Sequence, residues 1–350
     1  MKNRKLQIIL NAVIAVISLA VYIVLLLGVK ENVFKAILFS LLGLIAVYVF
    51  NALIHELTHV ISGAISGLKP YSVQVLNLFI GKDETGKFKV LFKRSYGELG
   101  STVFIPKTDK KVFEKYAISS LSALISNLLV LAVQCVVAFT TGNLFVYSFI
   151  GITFPLTLYI LLVNLIPVFN NDGRLLYLYI LGGEELEVCK NYYTAVACLT
   201  LGETPSNLNS SLLIKCGKGD YSVGIRYLRY LAYLNSDEEG AIKELYKISD
   251  LSALTMLNDE VEKELFFSAL LLGDDKYVSQ NKEEVISILE KQLTPADFRI
   301  HASFLVYSGE SEWAKLVLNS GVKFCEKYPV KGLAKSEKAY MEDMLKQLNN

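Results

Sequence analysis

Residues 36–67 read AILFSLLGLIAVYVFNALIHELTHVISGAISG, and this stretch decides the fold. From Ala36 to Ile54 it carries no charge, then reaches His55-Glu56-Leu57-Thr58-His59 with no helix breaker between. A helix needs about 20 apolar residues to cross a bilayer, so the motif stands at the far end of a span. Three ionisable side chains at membrane depth are expensive, which marks them as functional by default. On a helix, His55 and His59 lie one turn apart on one face. That spacing suits two imidazole ligands on a single zinc ion, with Glu56 placed to take a proton from a bound water. The motif therefore points to zinc-dependent hydrolysis inside a bilayer. HExxH arises by chance in roughly one chain in a hundred of this size. The bland reading, an ordinary polar helix face, would here bury three polar side chains near lipid without compensation.

Outward from this helix, other stretches lack charge. Leu6–Val29 carries none, and Tyr116–Asn171 has no Asp, Glu, Lys or Arg. Hydrophobic residues make up 53% of the 350-residue chain, above the roughly 45–50% of soluble domains. Four spans are expected, at about 6–28, 33–61, 116–139 and 144–168, with Pro155 kinking the last. The basic start, Lys2, Arg4 and Lys5, resembles a signal peptide, but the apolar run after it is too long and no small-residue cleavage site follows. It reads as a retained helix. Residues 68–115 hold ten Lys and Arg against five acids. By the positive-inside rule the N-terminus, this loop and the C-terminal half face the cytoplasm. The net charge of +1 gives no case for nucleic acid. The five cysteines have no CxxC spacing and read as reduced and structural.

Between the second and third spans the period changes from helical to alternating. Tyr71–Leu76 and Lys87–Phe92 alternate around a turn at Asp83–Gly86, and Ser101–Ile105 forms a candidate third strand. A small β-hairpin or sheet over about 71–105 is expected beside the motif. Beyond Leu181 amphipathic segments recur at 222–234, 238–248, 261–272, 283–293, 296–307 and 310–326, separated by short joints. They suggest helical hairpins, as a tetratricopeptide-like solenoid or a compact bundle. Tyr227, Tyr230 and Tyr233 share a helical packing face, and Trp313 reads as core. The expected fold is thus an α-helical integral membrane protein with a β insertion (1–180), followed by an all-α cytoplasmic domain (181–350).

Two histidines do not complete a catalytic zinc site, which takes three protein ligands and leaves one position open. His301, the only other histidine, belongs to a C-terminal helix and reads as an ordinary packed or surface side chain. Asp172 is the carboxylate that follows the long uncharged run, on the same side of the membrane as the end of the second span. Asn171-Asp172-Gly173 is equally a turn that closes a helix, since all three residue types favour turns. On local sequence both readings stand.

The chain resembles the site-2 protease family of intramembrane zinc metalloproteases, which carries HExxH on one spanning helix and, on a later one, Asn-x-x-Pro with Asp-Gly some five residues on. This chain reads Asn164-Leu165-Ile166-Pro167-Val168-Phe169-Asn170-Asn171-Asp172-Gly173. The resemblance implies that His55, His59 and Asp172 bind one zinc ion per chain, and that Glu56 is the catalytic base. It gives Asn164 a role in holding substrate. Ser122–Asn127 matches a Gly-Pro-x-x-Asn segment whose Gly and Pro are missing, so only Asn127 carries over, toward substrate or the developing oxyanion. Phe169 and Arg174 stand where the family often has a second proline and a second glycine. The likeness covers about 33–176 and leaves the C-terminal half unassigned.

The implied substrate is a membrane-protein segment or a signal-peptide remnant, and the implied location an integral site in a bacterial plasma membrane. A cytoplasmic protein partner would dock on 181–350. Two rival readings remain. One is a catalytically inactive membrane scaffold that presents the helical domain. The other is a transporter subunit, against which stand the small number of spans and the lack of a broken inverted repeat.

Overall fold

The computed structural model describes residues 12–13, 16, 33–82, 87–92, 100–141, 144–167, 171–216, 219–234, 236–249 and 257–349. The span expected at 6–28 lies outside these but for three positions, as do the 83–86 turn and Phe169. The chain is mostly helical, with one small four-stranded antiparallel sheet. Its described residues fall into two compact units. The first is formed by residues up to Gly81, Lys89–Phe104 and Glu114–Leu181; the second by Lys82–Phe88, Ile105–Phe113 and Gly182–Asn350.

In the first unit, α1 (Val33–Ile65) runs without a break through the His-Glu motif. Two later helices, α2 (Val112–Thr141) and α3 (Leu144–Leu165), follow the sheet, and the short α4 (Asp172–Leu181) closes the unit. Pro155 lies inside α3. Gly43 of α1 lies against the Phe149 ring of α3, and Asn51 donates from Nδ2 to Thr157 Oγ1 at 3.2 Å, a side-chain tie between the two helices.

Two helical stretches among the described residues, Gly43–Ile65 and Val112–Thr141, are long and apolar enough to cross a membrane; Phe149–Leu165 is a shorter apolar helix. Their faces are sorted the opposite way from a soluble helix. Ile45, Val49, Leu53, Leu57, Ile61 and Ile65, spaced four apart along α1, are exposed, while Asn51, His55 and Glu56 are buried. On α2, Ile118, Leu121, Ile125 and Leu128 are exposed while Ser119, Ser120 and Asn127 are buried. In water such helices would turn their apolar stripe inward.

The sheet has the order β3-β2-β1-β4, with β1 (Leu68–Val75), β2 (Leu78–Lys82), β3 (Phe88–Phe92) and β4 (Gly100–Pro106). The sequence reading put two strands around the 83–86 turn and missed β2. β1 turns directly into β2 through Leu76-Asn77, with Val75 facing Leu78 and Ser72 facing Gly81. Leu76 adopts φ 53° there, a conformation that Gly, Asn or Asp usually supplies, so no turn signal was visible. Gly81 lies so close to Ser72 that an added Cβ would stand 2.4 Å from its Cα. On the outer strand β3, Phe88, Val90 and Phe92 share one exposed face.

The second unit is a set of antiparallel helices: α5 (Glu184–Leu201), α6 (Ser210–Ile214), α7 (Asp220–Tyr233), α8 (Glu238–Ser249), α9 (Asn258–Leu272), α10 (Asp275–Leu289), α11 (Pro295–Tyr307), α12 (Ser311–Cys325) and α13 (Lys331–Asn349). Helices α7 and α8, α9 and α10, and α11 and α12 pack as hairpins, and α13 packs back onto α5. Phe266, Phe267, Val278 and Ile300 centre one apolar core; Phe298, Ala302, Leu318 and Met341 centre another. Tyr230 is fully buried as its helical face required, but Tyr233 is exposed. Trp313, expected in the core, is 62% exposed on α12. Aromatic character alone did not reveal which side of α12 faces its neighbours. None of the five cysteines forms a disulfide, and burial pushes the Cys325 thiol up to about 12.

Candidate metal centre

The first unit brings His55, His59 and Asp172 together. His55 Nε2 lies 3.1 Å and His59 Nε2 3.2 Å from Asp172 Oδ2, and the two Nε2 atoms are 3.3 Å apart. His55 is buried and Asp172 nearly so. The two rings stand edge to face, their planes at 83°.

Asp172 opens α4, and the residue before it, Asn171, ties that helix to the end of α3. Asn171 Nδ2 donates to the carbonyls of Val163 at 2.6 Å and Ile166 at 3.1 Å, and its Oδ1 accepts from Arg174 N at 3.1 Å. It thereby satisfies the end of one helix and the start of the next. Gly173 sits where any Cβ would stand 2.1 Å from the Leu165 carbonyl oxygen. Asn171 is a bend and Asp172-Gly173 open α4, so the run starts a helix instead of closing one, and it places the Asp172 carboxylate beside the two histidines. Asn164 ends α3 with its carbonyl against Gly173. Among the described residues no hydrogen bond joins its side chain to the cluster.

Two residues of α2 hold the far sides of the rings. Ser119 Oγ lies 3.1 Å from His59 Nδ1 and 3.2 Å from the His59 carbonyl. A carbonyl only accepts, so the single hydroxyl proton goes there, and Ser119 accepts from Nδ1–H. That tautomer leaves a lone pair on His59 Nε2. Asn127, expected at the substrate, is instead fully buried with its amide nitrogen 3.1 Å from His55 Nδ1, and its Oδ1 has no partner. Turning the amide over would let Oδ1 accept from Nδ1–H and give His55 the same tautomer. Three acceptor atoms then converge within 3.1–3.3 Å of one another. Without a cation between them they repel. Metal–ligand bonds of about 2.0–2.2 Å in a tetrahedron put ligand atoms about 3.3–3.5 Å apart, so these three groups could hold a metal ion.

Glu56 is almost fully buried beside its two histidine neighbours. Strand β4 covers it. Thr102 donates from Oγ1 to Glu56 Oε2 at 2.6 Å, and a Cβ on Gly100 would stand 2.5 Å from Oε1. Phe104, two residues further on the same face, fits against Gly63 of α1 and so docks the strand on the helix. Ser119, Thr102, Gly100 and Asn171 were not legible as site residues, because each serves through a contact distant in sequence. His301 belongs to α11 of the second unit and is not part of the cluster; burial pushes its imidazole below the usual range.

No protein-family model, curated protein or solved structure matches this chain.

Proposed function

We propose that the chain is an intramembrane zinc metalloendopeptidase, similar to the site-2 proteases, that cuts membrane-protein segments or signal-peptide remnants. The observation that carries this reading is the converging set of acceptors on His55, His59 and Asp172, with Glu56 beside it on a helix whose outer face is apolar and exposed. The exposed stripes of α1 and α2 and the apolar face of β3 support insertion in a bilayer. By the excess of Lys and Arg, the sheet and the C-terminal half lie on the cytoplasmic side of a bacterial plasma membrane.

His55, His59 and Asp172 hold the metal, and Ser119 and Asn127 fix both rings in the ligating tautomer. When bound, zinc polarises a carbonyl and acidifies water. Glu56 takes a proton from the attacking water and passes it to the leaving amine. Thr102 holds one oxygen of that carboxylate, which keeps it aimed. A transmembrane helix hides its peptide bonds in its own hydrogen bonds, so a substrate must unwind before attack. An unwound segment gains new partners by pairing with a sheet edge, and β4 is the edge beside Glu56. Asn164 lies close enough in sequence to Asp172 to meet such a segment.

The test uses the purified full chain in detergent with a single-span substrate. About one zinc per chain is expected. Glu56→Gln keeps the metal and slows cleavage by roughly 10²–10⁴-fold. Unchanged cleavage removes Glu56 from the mechanism. Bound zinc with no client accumulating uncut in membranes that carry Glu56→Gln leaves the inactive scaffold.

A further inference from the structure

The second unit contains a site of a different kind, independent of the metal centre. Helices α5, α7, α9, α11 and α13 line a partly open cavity of about 300 Å³, and α13 packs back onto α5. One part of the wall is apolar, with Leu228, Leu231, Val330 and Leu333; Tyr192 and Tyr227 add aromatic rings. Gly224 permits this wall, since a Cβ there would meet the Tyr192 ring at 2.4 Å.

Another part of the wall carries charge, and its charges do not balance. Glu260, Lys263, Glu264 and Glu337 line the cavity, with Asp297 and Arg299 directly behind. Glu264 and Glu337 share one guanidinium: Arg299 donates to Glu264 Oε1 and to Glu337 Oε2, each at 2.7 Å. Lys263 is taken by Asp297, with Glu260 at 3.9 Å. Four carboxylates therefore answer to two cations, and all but Glu260 are buried. Buried charge of one sign is costly and favours a counter-ion of the other. Burial also raises the Glu337 carboxyl above its usual range, even with Arg299 beside it.

We propose that this cavity binds an organic cation with an apolar stem, a guanidinium or primary ammonium of the arginine or lysine type. The stem lies on the leucine and valine wall. The charge meets Glu264 and Glu337, with the tyrosine rings offering their faces to it. The volume suits one long side chain or one small amine and falls at the small end of ligand pockets. Anions are excluded by the surplus carboxylates, and neutral isosteres leave those carboxylates uncompensated.

The experiment titrates the full chain in detergent with n-butylguanidinium and, as the neutral isostere, n-butylurea, followed by ligand-observed NMR and thermal melting. The cation is expected to bind at least tenfold more tightly. Val330→Trp fills the cavity and abolishes binding while the protein still melts cooperatively. Glu337→Gln weakens binding at least tenfold. Glu260→Gln, at a partly exposed position, weakens it less and serves where Glu337→Gln does not fold. Equal binding of the urea, or undiminished binding by Val330→Trp, overturns the proposal. A second arm uses acetylated peptides with one arginine among apolar residues. Binding of these assigns the cation to a partner's side chain; binding of the free cation alone assigns it to a small amine.

Discussion

The two units both bury ionisable side chains, and they compensate them differently. In the first, Glu56 and Asp172 have no lysine or arginine partner among the described residues, and the nearest groups to Asp172 are two imidazole nitrogens. In the second, Glu264 and Glu337 are held by Arg299, and Asp297 by Lys263. In the second unit the chain supplies two cations of its own to these carboxylates. In the first it converges His55, His59 and Asp172 with no such cation among the described residues, an arrangement that could hold a metal ion. The surroundings follow the same division: α1 and α2 present apolar residues outward, while the helices of the second unit turn theirs inward.

The strongest way to break this comparison is Asp172→Ala. Removing the third donor leaves an incomplete set, so zinc measured by mass spectrometry should fall to background and cleavage with it. Retained stoichiometric zinc would mean that the carboxylate is not a ligand. The counterpart in the second unit is Arg299→Met, which strands two buried carboxylates. It should destabilise that unit by about 3–5 kcal/mol in denaturant or thermal unfolding, yet leave zinc content unchanged. Adding Glu264→Gln and Glu337→Gln should restore most of the loss, because the stranded charges go with the arginine.

Asn127→Ala tests the hold on His55. Zinc affinity by chelator competition should fall roughly 10–100-fold, as for other groups that orient a ligand. Asn127→Asp should retain it, since a carboxylate also accepts from Nδ1–H. A loss of substrate affinity with normal zinc binding would return Asn127 to the substrate. The smallest effect is expected from Thr102→Val, which removes one hydrogen bond to a charged group, worth about 1.5–3 kcal/mol. The turnover rate should drop on the order of tenfold or more with zinc unchanged, and Thr102→Ser should recover it.

What was legible in the sequence were features with a short period or a local chemistry. The uncharged run into His55-Glu56-Leu57-Thr58-His59 announced α1, and the hairpin spacing announced the helices of the second unit. Asp172 stood out as the first charge after the long uncharged stretch. β2 escaped because its turn uses Leu76 at positive φ, against the usual preference. Trp313 was assigned to a core it does not enter, because the side of α12 that packs depends on its neighbours.

The sequence by itself determined which ionisable side chains stand in apolar surroundings and which segments are long and apolar. Those properties follow from residue type and spacing along one helix. Only the tertiary structure decided that Asp172 meets two histidines more than a hundred residues earlier, that Ser119 and Asn127 lie against the Nδ1 atoms of those histidines, and that Thr102 holds Glu56. Each of those is a hydrogen bond or close contact between separate elements. Such a contact exists only once packing has paid the entropy of closing the loops between them.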